Sequence, residues 1–204
     1  MTFSHNFDAT SLREYDIRGI VGKTLSAEDA FAIGRTFGSM VRRNGGRTLV
    51  VGYDGRLSSP MLEEALVQGA VECGLEVTRV GRGPTPMLYY ASATLEADGA
   101  IMVTGSHNPP DYNGFKMMLA GKPFFGAQIK ELGELSAQGN VVAREDGSVR
   151  EADVRDEYVA RLVKDYVGGS RKLKIVWDNG NSSAGEILEK LVAALPGEHI
   201  VLNA

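Results

Sequence analysis

Short aliphatic runs alternate along this chain with longer stretches in which hydrophobic positions recur at helical spacing. Four short runs rich in aliphatic side chains predict strands, at 47–54, 75–81, 99–105 and 114–119. Helices are predicted ahead of and between these strands, at 26–43, 58–74 and 85–96. Strands separated by helices of this length indicate βαβ crossovers, and therefore an α/β fold.

The predicted helices have start signals and an inward face. Ser26 is the expected N-cap of the first helix, whose inward positions are Ala30, Ile33, Phe37 and Met40 or Val41. Ser58 or Ser59 is the expected N-cap of the second helix, with Pro60 in its first turn. The inward positions of that helix are Leu62, Ala65, Leu66, Gly69, Ala70 and Cys73.

The fourth predicted strand follows the third too closely for a crossover helix, so we expect at least one antiparallel pair. The fold class predicted is therefore α/β, with a mixed, mostly parallel sheet flanked by helices. Further along the chain, the run around 173–178, a glycine-rich turn and a helix repeat the order seen at 47–74. Asp54 and Asp178 occupy equivalent positions, which indicates a weak internal repeat.

A domain boundary is predicted where residues 138–155 become polar and turn-rich. We divide the chain into a first domain, 1–150, and a segment, 151–204, that holds a linker helix and an incomplete second α/β domain. The linker helix is expected to bury Val154, Tyr158, Leu162 and Val163 or Tyr166.

Composition excludes several classes of protein. The 204 residues have a formal net charge of -4 and a pI of about 5.5, so we expect no nucleic-acid partner and no membrane partner. The single cysteine, Cys73, is expected to be a buried small side chain. The first ten residues lack the pattern of a secretory signal, and the cytoplasm is the expected compartment.

The segment TGSHNPPDYNGFK, residues 104–116, is the best candidate for chemistry. Ser106 follows a buried strand and is expected at the carboxyl edge of the sheet, where open α/β folds bind ligands. The spacing excludes a hydrolase nucleophile elbow, and GRGPTP at 81–86 does not fit a dinucleotide fingerprint. Amides near Ser106 could hold an anion, with Lys116 as a point charge, but a purely structural turn remains open.

The same segment resembles the phosphoserine loop of the α-D-phosphohexomutases of the bacterial phosphomannomutase/phosphoglucomutase type. Other motifs resemble that family in the same order: REYDIRGIVG (13–22), VGYDGRLSSP (51–60), GPTPMLYY (83–90) and VWDNGNSSAG (176–185). The resemblance covers essentially the whole chain. It departs at Tyr53, where some relatives have arginine.

This resemblance implies a mutase that exchanges the 1- and 6-phosphates of mannose or glucose through a phosphorylated Ser106. Lys116, Arg18 and His107 match catalytic positions, and Tyr15 and Asn108 match substrate-binding positions. It also implies a phosphosugar substrate, glucose 1,6-bisphosphate as intermediate or activator, and Mg²⁺ bound through the phosphate on Ser106. The aspartate ligands of that Mg²⁺ belong to a DGDxDR-like loop that this sequence lacks.

Since the family's enzymes are more than twice this length, we expect the chain alone to be inactive. The alternative is a phosphosugar-binding or interaction fragment without turnover. Self-association or disorder is expected beyond about residue 155, through apolar side chains left uncovered: Leu173, Ile175, Ile187, Leu188 and Leu191. Asp54 and Arg56 are interpreted as a structural ion pair or turn, and His5 and His199 as surface residues without partners.

Overall fold

The computed structural model describes residues 3–169 and 171–204, which form an α/β fold. The strands there are β1 (Ile17–Ile20), β2 (Thr48–Tyr53), β3 (Glu76–Arg82), β4 (Gly99–Val103), β5 (Tyr112–Leu119), β6 (Lys122–Phe124), β7 (Ser148–Glu151), β8 (Lys174–Asp178) and β9 (Glu198–Leu202). The helices are α1 (Ala27–Arg43), α2 (Ser59–Val71), α3 (Thr85–Thr94), α4 (Ala127–Ala137), α5 (Arg155–Lys164) and α6 (Gly185–Ala194).

The large sheet is mixed, as predicted. Its strands lie in the order β1-β5-β4-β2-β3-β7, and β6 pairs with β5. The pairs β2–β3, β2–β4 and β3–β7 are parallel, whereas β5 pairs antiparallel with β1, β4 and β6. The antiparallel pair β4–β5 confirms the expectation drawn from their close spacing.

Hydrophobic side chains cover both faces of this sheet. On one face, α1 and α2 pack against the side chains of Leu49, Val51, Ile101 and Phe115. On the other face, Val50, Ala100 and Met102 pack with residues of α3. Alternate residues of each central strand therefore enter different clusters, as the period of a strand requires.

The start of α1 is fixed by a capping box. Ser26 Oγ accepts a hydrogen bond from the Asp29 amide, and the Asp29 carboxylate accepts one from the Ser26 amide. His5 was expected to have no partner, but its Nε2 lies 2.7 Å from Asp29 Oδ1, so that expectation was wrong. The predicted inward residues Ala30, Ile33, Phe37 and Val41 are buried.

The start of α2 differs from the prediction. Ser58 occupies the N-cap position, but its side chain makes no capping hydrogen bond. Ser59 Oγ instead donates to the Asp54 carboxylate at 2.6 Å, which ties the helix to the end of β2. The predicted inward face of α2 is buried except at Ala65, which is half-buried.

The prediction missed β1, β6, α4 and β7. All four residues of β7 are exposed, so no hydrophobic pattern marks this strand. It nevertheless pairs with β3 inside the region 138–155. Asn113 and Gly114 lie within β5 and are not a turn.

Apolar side chains of α5 and α6 pack into the cluster around α3. Val154, Val159 and Ile187 are buried with the α3 cluster, and Tyr158 and Val163 pack against it, Val163 being the inward alternative to the exposed Tyr166. Leu162 is exposed, contrary to the prediction. Ile187 was predicted to be uncovered, so its burial shows that this prediction was wrong. Trp177 Nε1 donates to His199 Nδ1 at 3.0 Å, so His199 does have a partner.

Cys73 is fully buried, as predicted, and burial raises the pKa of its thiol. No helix among the described residues is long and apolar enough to cross a membrane.

Candidate functional site

Ser106 lies in the loop 104–111, which joins the antiparallel strands β4 and β5 at the carboxyl end of β4. Its backbone has φ of 53°, in the left-handed region, where non-glycine residues are strained. Its side chain is exposed. The fold thus holds a hydroxyl in an uncommon conformation at the edge where α/β sheets bind ligands.

Two of the amides proposed as an anion cradle are already hydrogen-bonded. The Gly105 amide donates to Asp54 Oδ2 at 3.0 Å, and the Ser106 amide donates to Thr104 Oγ1 at 2.9 Å. These two amides are therefore already used by the protein. His107 Nδ1 lies 3.3 Å from Ser106 Oγ.

Asn108, a predicted substrate-binding residue, bonds to the loop itself. Its Nδ2 donates to the Gly105 carbonyl at 3.1 Å. The side chain is half-buried, and this bond directs its donor group toward the main chain.

Arg56 binds the loop through four carbonyl oxygens. Its Nη1 donates to the carbonyl oxygens of Pro109 at 2.7 Å and Tyr112 at 2.9 Å. Its Nη2 donates to those of Ser106 at 3.1 Å and Asn108 at 2.6 Å. The four N–H groups of the two Nη atoms are all used.

Asp54 fixes the position of Arg56. Its Oδ1 accepts from the Arg56 amide at 3.0 Å, and its Oδ2 lies 3.4 Å from Arg56 Nε. The ion pair and the turn that the sequence indicated are both present. The larger role of these residues, the attachment of α2 and the Ser106 loop to the end of β2, was missed.

Arg18 and Lys116 meet at a carboxylate that the prediction also missed. Both side chains donate to Asp16 Oδ2, Lys116 at 3.2 Å. Arg18 pairs across the sheet with Gly114, and Lys116 lies two residues further along β5, so both point to one face. Arg18 is only 3% exposed, and its Nη1 has no hydrogen-bond partner among the described residues.

Tyr15 precedes this cluster in the chain and is 73% exposed. Its ring stacks on Phe125, with centroids 6.4 Å apart. The structure thus groups the predicted residues into two sets, the loop set with Ser106 and the set bound to Asp16. Asp16 lies inside the REYDIRGIVG segment, and that position was the only sequence signal for it.

A cleft of about 800 Å³ lies beside the Ser106 loop. Its lining includes Ser106, Arg56 and Pro110, together with Asn181 and Ser183 from the turn between β8 and α6. The volume is within the range of small-molecule sites.

Residues 9–140 match the family model described as phosphoglucomutase/phosphomannomutase, alpha/beta/alpha domain I. The chain belongs to the phosphoglucomutase/phosphomannomutase family. This confirms the resemblance that the motifs indicated.

Individual relatives of the chain are named as members of the same family. The chain is 46% identical to the phosphomannomutase/phosphoglucomutase of Pseudomonas aeruginosa over 92% of its own length, and 42% identical to a phosphoglucomutase of Neisseria meningitidis over 91%. It spans about 40% of the length of each. A crystal structure of a family member from Burkholderia thailandensis superposes with a TM-score of 0.90 at 44% identity, covering 97% of this chain and 44% of that one.

The carboxylates near Ser106 do not form a metal site by themselves. Among the described residues, no group of three or more His, Cys, Asp or Glu side chains could hold a metal ion. Asp16 already binds two cations, and Asp54 accepts from Gly105, Arg56 and Ser59. The side chains present therefore do not fit Mg²⁺ unless ligands come from elsewhere.

Proposed function

We propose that this chain supplies the phosphate-carrying serine of a hexose-phosphate mutase that interconverts the 1- and 6-phosphates of glucose or mannose. The observation that supports this most strongly is the exposed hydroxyl of Ser106, held in a left-handed conformation at the cleft in a member of this family. Because the chain spans about 40% of the length of these relatives, we propose the complete reaction for a protein of the relatives' full length that includes this sequence, called below the full-length protein.

In the proposed reaction, the phosphoryl group on Ser106 Oγ passes to the free O1 or O6 of a bound hexose monophosphate. The P–Oγ bond breaks, a bond to the sugar oxygen forms, and the hydroxyl proton of the sugar moves to a base of the site. The resulting bisphosphate reorients in the site. For a glucose substrate this intermediate is glucose 1,6-bisphosphate. It then returns its other phosphate to Ser106, so no phosphate is lost.

The predicted catalytic side chains have proposed roles in this transfer. Lys116 and Arg18 stabilise the negative charge of the moving phosphoryl group, and either could take part in proton transfer. Their joint attachment to Asp16 fixes both cations before substrate binds. His107, next to the Ser106 hydroxyl, is a proposed hydrogen-bond partner of the phosphate, and Tyr15 and Asn108 are proposed substrate contacts.

Mg²⁺ is the proposed cofactor of the full-length protein, where it would neutralise charge between the phosphate groups. This chain contributes to it only the phosphate on Ser106. The cytoplasm remains the expected compartment.

The test is replacement of Ser106 by alanine in the full-length protein. We expect loss of mutase activity and of the phosphate that intact-mass and peptide analysis place on Ser106 of the wild type. Ser148→Ala, at an exposed serine on β7 outside the cleft, is the control and should retain both. If Ser106→Ala keeps full activity, the proposal is wrong; if the wild type binds hexose phosphates but never becomes phosphorylated or turns over, the non-catalytic binding alternative is correct.

A further inference from the structure

We infer that Arg56 is a positioning residue for phosphoryl transfer, holding the Ser106 loop in its reactive shape without touching the reacting atoms. This inference rests on the proposed function of Ser106. It assigns to Arg56 the task of keeping a strained backbone in place.

The first argument is the geometry of the guanidinium group. Two carbonyl oxygens bind to Nη1 and two to Nη2, so the planar group joins three points of the loop to the first residue of β5. The carbonyl of Ser106 itself is one of them. Only arginine offers this many donors in a rigid plane, since lysine has three donors on a single nitrogen.

The second argument is the conformation that needs support. Ser106 adopts φ of 53°, which costs free energy for a residue with a Cβ atom and persists only where the surroundings fix it. The residue before Ser106 and the residue two positions after it are bound too, because Gly105 donates to Asp54 and Asn108 accepts from Arg56. The Asp54–Arg56 pair is thus the support of the strained residue.

The third argument is that Arg56 itself is held firmly. Its side chain is only 16% exposed. The Asp54 carboxylate accepts from the main-chain amide of Arg56 and forms an ion pair with its guanidinium group at Nε. Asn113, fully buried on β5, donates to the hydroxyls of Ser58 and Ser59. These bonds attach the start of α2, which follows Arg56 in the chain, to the strand that leaves the loop.

The test compares Arg56→Lys and Arg56→Ala with Arg35→Lys in the full-length protein. Arg35 is a matched control, because it is similarly buried at 13% exposure and bound to a carboxylate, Glu72, but lies on α1. Thermal unfolding first identifies variants that remain folded. Amide hydrogen exchange of residues 105–112 is then measured, since it reports on the loop whether or not the protein is a mutase.

We expect faster exchange in the loop for both Arg56 variants and unchanged exchange there for Arg35→Lys. We also expect kcat and the rate of Ser106 phosphorylation by glucose 1,6-bisphosphate to fall by about 100-fold, with KM nearly unchanged, because displaced reacting groups slow the chemical step.

Three results would overturn the inference. Wild-type exchange in the loop of Arg56→Ala would show that the loop needs no support. Wild-type kcat in Arg56→Lys would show that charge is sufficient without the planar group. A raised KM with unchanged kcat would show that Arg56 binds the sugar phosphate directly. A wild-type protein that is never phosphorylated would instead count against the proposed function, and the exchange measurement would still decide on the support.

Discussion

Gly105 lies directly against the Arg56 side chain, and this contact leaves no room for a larger residue. A Cβ atom at position 105 would lie 2.0 Å from Arg56 Nε, far inside a van der Waals contact. The glycine is therefore needed for a close approach of side chain to backbone, next to the strained Ser106.

We expect Gly105→Ala to displace Arg56 and to lower the free energy of unfolding by about 1–3 kcal/mol, the usual cost of overpacking. Urea unfolding of the two proteins measures this change. Gly55→Ala is the control, since a Cβ there meets no atom within 4 Å, and it should change stability by less than about 0.5 kcal/mol. Equal effects of the two substitutions would contradict the explanation.

At this scale the sequence identified Ser106, His107, Arg18 and Lys116 as candidates, because they lie in recognisable motifs. It could not show that Asp16 binds Arg18 and Lys116 together, or that Arg56 spans the loop. The Arg56 contacts join residues 50 to 56 positions apart, and the spacing of residues along one chain does not report such distances.

Among the elements, β2 and β4 are joined at their amino ends by a single carboxylate. Asp98, immediately before β4, accepts hydrogen bonds from the Arg47 amide, the Thr48 amide and the Thr48 hydroxyl. Partial burial raises the pKa of Asp98, but the three hydrogen bonds outweigh it, and the net pKa is below the ordinary value of 3.8.

We expect Asp98→Asn to destabilise the fold by about 1 kcal/mol near neutral pH, because hydrogen bonds to a charged acceptor are stronger than those to an amide. Since folding lowers the pKa, the stabilisation is complete above the ordinary value of 3.8 and is lost as the pH falls through the lower folded pKa. Urea unfolding across this pH range should show the wild type and variant converging in acid. A difference that stays constant or grows in acid would contradict the assignment.

The predicted strands are those with buried aliphatic runs, and the helices with clear caps or amphipathic faces were found. The exposed β7 carries no such pattern, because its stability comes from pairing with β3. The edge strand β1 has only four residues, among them Arg18 and Gly19, which give too short a pattern.

In the whole molecule, α5 and α6 connect the two sheets. Val159 and Ile187 enter the cluster around α3, and Arg155 on α5 binds Glu186 on α6 through Nη1 at 2.7 Å. The burial of Ile187 corrects the prediction that this side chain is left uncovered. The amphipathic period of α6 could be read from the sequence, but the surface against which the helix packs could not.

Other apolar side chains of this unit are open to solvent, among them Leu173, Val176 and Leu202, which are 45–57% exposed. We therefore predict that this chain self-associates at high concentration and that Val176→Lys weakens the association. Sedimentation velocity over a range of concentrations measures this, with Leu57→Lys, at a fully exposed site near Ser106, as the control. A wild-type chain that is monomeric throughout would disprove the prediction.

Arg56 recognises main-chain oxygens and no side chain of the Ser106 loop. Most substitutions within the loop leave those oxygens chemically unchanged. The side chains of the loop can therefore vary during evolution without loss of this support. A change in loop length would be far less tolerated, because it would move the oxygens away from a guanidinium group of fixed size.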